Sequence, residues 1–162
     1  MVTQLQRELR QTRPFDSPAH EASLGLFRTA DLLRRMLAAV VEPAGITPQQ
    51  YNVLRILRGA GDAGLPTLDI AERMVEQAPG ITRLLDRLEA KTLVHRERCP
   101  TDRRQVLCAI TPEGRTLLQK LERPVSEVGR VAMAAIGVKG QRQLIKLLDT
   151  VRAAGTGGPA RC

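Results

Sequence analysis

The chain has 162 residues, the length of one ordinary domain, and 43% of them are apolar, enough for a buried core and too many for wholesale disorder. It contains no Trp, one Tyr and two Phe, so the core must be aliphatic, a composition that favours helices over strands. The net charge of +8 attracts polyanions; no run of 18 apolar residues spans a bilayer, and the first residues, MVTQLQRELR, lack the apolar stretch of a signal peptide.

Residues 1–16 are polar and basic, with Arg7, Arg10 and Arg13, and are expected to form a loose arm or a short extra helix. Ser17-Pro18 predicts a helix start, with Ser as N-cap and Pro in the first turn. Leu26, Ala30, Leu33, Leu37, Val40 and Val41 follow at helical spacing, Leu24 and Phe27 widen the apolar arc as if to meet a second surface, and Pro43 and Gly45 stop the helix. Thr47-Pro48-Gln49-Gln50 is a capping box, and Val53, Ile56, Leu57 and Ala60 form the buried stripe of the next helix. After Gly61 and Gly64, Thr67 is the expected cap of a short helix through Ile70, Ala71 and Met74. A turn at 75–77 leads to a helix from Ala78, with the stripe Ile81, Leu84, Leu85, Leu88 and with Pro79 in its first turn.

Residues 93–98 and 105–110 are strand candidates joined by a turn at Cys99-Pro100-Thr101-Asp102. Thr111-Pro112 caps a helix carrying Leu117, Leu118, Leu121, Val125 and Val128, which Pro124 should kink or split. Lys139-Gly140 precedes a last helix with Leu144, Ile145, Leu147, Leu148 and Val151, and residues 155–162 are expected to be a disordered tail.

Two short helices, a tight turn and a basic hairpin make a winged helix-turn-helix. With Ile81, Leu84, Leu85 and Leu88 facing inward, Pro79, Gly80, Thr82, Arg83, Asp86 and Arg87 lie on the other faces. Arg83 can reach guanine edges, Thr82 a thymine methyl or a phosphate, and Gly80 allows a phosphate close to the helix N-terminus. The alternative is that Arg83 and Arg87 pair with Asp86 or Glu89 on their own helix. The hairpin carries Arg96, Arg98, Arg103 and Arg104, a basic tip suited to a narrow minor groove; Asp102 either orients Arg104 or caps the turn.

Residues 47–118 resemble the MarR family of bacterial transcription regulators. The likeness lies in TPQQ, LDIAERM, PGITRLLDRLEAK and the wing TDRRQVLCAITPEG, where Asp102, Arg104, Ile110, Thr111 and Gly114 fill the family's wing pattern. It implies a mainly α fold with a small β-hairpin wing: a winged helix-turn-helix lobe at about 47–111 and dimerisation helices at about 17–42 and 112–154, in a single domain of residues 17–154. It further implies a cytoplasmic homodimeric repressor on a pseudo-palindromic operator, released by a small, often aromatic, acid. Gln77, Pro79, Gly80, Thr82, Arg83, Arg87, Asp102, Arg103 and Arg104 would form the DNA surface, with Arg104 in the minor groove. Phe27 and Tyr51 are the aromatic candidates for the effector, although both sit at core spacing. One departure is Thr92, where the family usually has Gly; either the helix ends differently or Thr92 is strained.

No acid, base or nucleophile pattern surrounds His20 or His95, and no phosphate-cradling glycine loop is present, so neither an enzyme nor a cofactor is expected. Cys99, Cys108 and Cys162 lack zinc spacing and a disulfide framework, which predicts no metal and a reducing compartment. A redox-responsive regulator sensing through Cys99 is the alternative function, since Arg96 and Arg98 could activate its thiol.

Overall fold

The structure is a computed structural model that describes residues 2–77, 79–99, 102 and 105–156. The chain forms two compact units, Met1–Val125 and Ser126–Cys162. The N-terminal arm contains a short helix, α1 (Gln4–Glu8), closed by a capping box between Thr3 and Gln6. Gln6 is buried, and its amide donates to the Arg13 carbonyl at 3.2 Å. Helix α2 (Pro18–Val41) starts at Ser17, whose hydroxyl accepts from the His20 N–H. Its apolar stripe is covered unevenly: Val41 is buried, but Leu26 and Phe27 are exposed, Phe27 at 74%.

The predicted capping box holds at α3 (Pro48–Ala60): the Gln50 N–H donates to Thr47 Oγ1 at 3.2 Å, and the Thr47 N–H to Gln50 Oε1 at 3.0 Å. Tyr51, Val53, Leu54 and Leu57 are its buried side chains, whereas Ile56 and Ala60 are only partly covered. A single-stripe reading misplaced the face because α3 is central, meeting α2, the two short helices after it and a strand. Those helices are α4 (Thr67–Arg73) and α5 (Ile81–Ala90). Thr67 is the first residue of α4 rather than its cap; Pro66 holds the cap position without a side-chain hydrogen bond. Pro79 lies ahead of α5 rather than in its first turn, because Gly80, at φ +95°, takes the N-cap position in a left-handed conformation suited to glycine.

A two-residue strand, β1 (Leu65–Pro66), joins the two predicted strands, β2 (Val94–Arg98) and β3 (Val106–Ile110), in an antiparallel sheet of order β1-β3-β2. The register sets Val94 opposite Ile110 and Arg96 opposite Cys108, which in turn faces Leu65. Leu85, Leu88, Val94, Cys108 and Ile110 close one aliphatic core with α3 and with Leu118 and Leu121 of α6 (Pro112–Met133). Leu121 thus belongs to this core. Thr111 caps α6 by accepting from the Gly114 N–H at 3.0 Å, and the helix runs unsplit past Pro124.

In the second unit, α7 (Gly137–Thr156) begins before the Lys139-Gly140 pair and continues through Gly155 and Thr156, where the sequence predicts a tail. Residues 157–162 of that predicted tail lie outside the described residues.

The end of α5 explains how Thr92 is accommodated. Its N–H donates to the Glu89 carbonyl at 2.8 Å, and the Leu93 N–H donates to the Leu88 carbonyl at 3.0 Å. These are the two bonds of a Schellman cap, and they place Thr92 at φ +58°. The strain of a β-branched residue there is partly offset by its hydroxyl, which donates to the Lys91 carbonyl at 2.7 Å. Thr92→Gly should therefore raise the melting temperature, by up to about 1 kcal/mol of stability. Thermal and urea denaturation check this; an unchanged or lower midpoint means that the lost hydroxyl bond outweighs the strain.

Candidate nucleic-acid interface

The amphipathic pattern of α5 sorts its side chains as the stripe predicts. Leu85 and Leu88 are fully buried, and Ile81 and Leu84 pack partly against the core. Thr82, Arg83, Asp86 and Arg87 are exposed, as are Gln77, Pro79 and Gly80 just ahead of the helix. The free N–H groups of the first turn and the helix dipole face outward beside Gly80 and Thr82, an arrangement favourable to a phosphate.

The acidic residues of α5 are not paired with its own arginines. Arg96, on β2, donates from Nε to Glu89 Oε2 at 2.9 Å and from Nη2 to the same oxygen at 2.6 Å. The same Nη2 reaches Asp86 Oδ1 at 2.5 Å, and the Arg96 backbone N–H donates to Glu89 Oε1 at 3.1 Å. This clasp removes the self-pairing alternative: among the described residues neither Arg83 nor Arg87 makes an ion pair. Arg96 was expected to be one of the basic residues of the wing. Strand alternation instead puts it on the inward face with Val94, where a guanidinium requires acidic partners. That parity, together with two acids three residues apart on α5, was the available signal.

The hydrogen bonds from Arg96 hold the Glu89 carboxyl below its usual value, and the two acids raise the Arg96 guanidinium. Of the wing residues, Asp102 accepts from the Gln105 N–H at its carbonyl, 2.9 Å away, and the Cys99 N–H donates to the Gln105 carbonyl at 2.9 Å. Arg103 and Arg104, with the predicted turn at Pro100-Thr101, lie outside the described residues. Cys99 is half-buried; Cys108 is fully buried and burial pushes its thiol pKa up, so Cys108 is held as an unreactive thiol. No group of three His, Cys, Asp or Glu among the described residues could hold a metal ion, and no described helix is long and apolar enough to cross a membrane.

A cavity of about 470 Å³ opens in the first unit between α2 and α3, near the turn before α5. Leu33, Leu37, Tyr51 and Met74 supply apolar wall, and Arg34 and Arg55 supply positive charge. Arg34 is paired with Glu76 at 2.9 Å. Tyr51 is therefore both core and cavity wall. Phe27 is neither: it does not line the cavity, and of its two readings, core or the wider apolar arc of α2, its exposure leaves the second.

A helix-turn-helix followed by a strand pair, with a cationic outer helix face, defines a winged helix-turn-helix protein. The comparisons agree. A sequence model of the MarR family matches residues 46–106. The chain is 30% identical over 114 residues to the HTH-type transcriptional regulator FarR of Neisseria gonorrhoeae, covering 70% of this chain and 77% of FarR. It is 28% identical over 137 residues to the homoprotocatechuate degradative operon repressor of Escherichia coli, covering 85% and 84% of the two chains. A crystal structure of a MarR transcription factor from Planctomyces limnophilus shares 39% identity at a TM-score of 0.65, covering 85% of this chain and 99% of that one. The chain belongs to the MarR family of transcription regulators.

The depressed Glu89 pKa has a consequence for stability. Its ion pair with Arg96 contributes fully above the ordinary Glu value of 4.5 and is lost as pH falls through the lower folded value. Glu89→Gln should flatten the acid side of the stability curve below about pH 4.5, measured by urea melts at stepped pH. An acid limb identical to that of the wild type would show that the pair contributes nothing.

Proposed function

We propose that this chain is a transcriptional repressor that binds a pseudo-palindromic operator as a homodimer and is released by a small aromatic acid. The observation that carries the DNA reading is the outer face of α5. Arg83 and Arg87 stand exposed there and make no ion pair among the described residues, beside a helix N-terminus and a wing. In this reading α5 lies in the major groove with Arg83 on base edges, while Gln77, Pro79, Gly80 and Thr82 approach the backbone. Arg104, with Arg103, enters the minor groove, and Asp102 orients it.

The dimer reading is supported by apolar surface that the chain leaves uncovered. No described residue of α7 is buried, and Ile145, Leu147 and Val151 are each more than half exposed. Leu26 and Phe27 add apolar surface on α2. A second copy would cover such faces, and two-fold symmetry would set two recognition helices roughly 34 Å apart. Repression as the direction of control is supported by the E. coli relative, which is named an operon repressor.

The effector reading is supported by the cavity, whose size and mix of apolar wall and guanidinium suit an aromatic ring bearing a carboxylate. Release then requires tighter binding to the conformation that cannot hold DNA.

Two experiments test this. On a duplex selected from a random pool by the wild-type protein, Arg83→Ala should cost about 1–3 kcal/mol and narrow the gap to random DNA. Arg104→Ala should weaken both DNAs more evenly, with the salt slope shallower by roughly one counterion per wing. An unchanged specificity ratio for Arg83→Ala excludes it as a base reader, and unchanged binding by Arg104→Ala excludes the wing from the groove. In the same assay, benzoate and salicylate should lower DNA affinity in the wild type, and Arg55→Ala should blunt that response. Equal responses in both proteins would remove the cavity from the mechanism.

A further inference from the structure

We infer that Arg96, which the DNA reading leaves off the protein–DNA surface, determines DNA affinity by neutralising the acids of the recognition helix. The inference rests on the reading of α5 as that helix. Three observations carry it.

Asp86 and Glu89 lie on α5 among the residues proposed to meet DNA, and their side chains remain 53% and 39% exposed. Two unpaired carboxylates there would repel phosphate. Asp86 would also sit three residues after Arg83, close enough on a helix surface to capture its guanidinium. Arg83 is the residue that needs to be free to read a base. The helix as a sequence therefore tends to quench its own arginine.

Arg96 prevents this from the neighbouring strand. One guanidinium engages both acids at 2.5 to 2.9 Å, and its backbone N–H takes the second Glu89 oxygen. The planar fork suits this task because it serves two carboxylates from one side, a geometry that a lysine point charge does not reproduce.

The fork is also held in place. Arg96 sits on the inward face of β2 opposite the buried Cys108, and its side chain is only 24% exposed. It is poorly placed to follow a phosphate into solvent. Its contribution to DNA binding is indirect: Arg96 is a positioning residue that keeps Asp86 and Glu89 away from Arg83 and Arg87, which make no ion pair among the described residues.

The rival account is mechanical, with Arg96 acting as a tether that fixes the wing against α5. The two accounts predict opposite results for variants of the acids. If Arg96 acts by neutralisation, Arg96→Gln lowers affinity for the selected duplex by about tenfold, comparable to losing a base-reading arginine. Adding Asp86→Asn and Glu89→Gln to that variant restores affinity to within about threefold of wild type, because the charges to be neutralised are gone. In the wild-type background, Asp86→Asn/Glu89→Gln binds at least as tightly as the parent. If Arg96 is a tether, that double variant weakens binding as much as Arg96→Gln, and the triple variant stays weak.

Affinities are measured by fluorescence anisotropy at two salt concentrations, with melting temperature and sedimentation as fold controls. If Arg96→Gln does not fold, the double variant on intact Arg96 still decides between the accounts. Weakened binding by the double variant overturns the inference, as does a triple variant no stronger than Arg96→Gln. Failure of the underlying DNA reading looks different: Arg83→Ala would then bind the selected duplex as the wild type does.

Discussion

The meeting of three backbone segments at Leu93 is the constraint on which the first unit depends. The Leu93 N–H closes the cap of α5, and its carbonyl accepts the Thr111 N–H at 3.1 Å. One residue earlier, the Thr92 carbonyl accepts the Thr111 hydroxyl at 2.7 Å. A Cβ on Gly114 would lie 2.3 Å from the Leu93 carbonyl oxygen, so α6 can start this close to the strand only because residue 114 has no side chain. The end of α5, the start of β2 and the start of α6 are thereby fixed to a single point. The left-handed conformation at Thr92 is the local cost of that junction, held by cap bonds on either side of it.

From that junction the electrostatics follow. With β2 leaving Leu93 beside the end of α5, strand alternation carries Val94 into the core and then Arg96 against Asp86 and Glu89 of the helix. The aliphatic pair Leu85 and Leu88 anchors α5 on its inner side, and Arg96 occupies the edge between the inner and outer faces. The outer face is left with Thr82, Arg83 and Arg87, a short cationic surface on a rigid element. A site carried by a helix that is buried on one side and capped at its end keeps its geometry better than one on a loop, which suits reading of base edges.

Much of this was legible in the sequence where chemistry is local. The Ser17, Thr47 and Thr111 caps each depend on a hydroxyl and a neighbouring N–H, and all three form. The stripe of α5 was legible because one face is buried and the other is not. Strand β1 was not, since two residues containing Pro66 carry no alternation and gain their pairing only from β3. Thr67 looked like a cap because Thr commonly is one; Pro66 already sets the entry conformation. Arg96 was read by composition, as another positive charge in a basic hairpin, when its role was set by strand parity and by two acids on a different element. Phe27 sits at core spacing and also widens the apolar arc of α2; helical spacing does not distinguish a face covered by the same chain from one left open, and the structure leaves Phe27 exposed.

The central claim is that the outer face of α5 lies in the DNA major groove with Arg83 on base edges. Dimethyl sulfate protection of guanine N7, which faces the major groove, tests it most directly on a selected duplex with wild-type protein and with Arg83→Ala. The account predicts two protected guanine tracts about one helical turn apart, roughly 10 base pairs, with protection lost in the variant. Protection that is absent, or that is identical in Arg83→Ala, would contradict it.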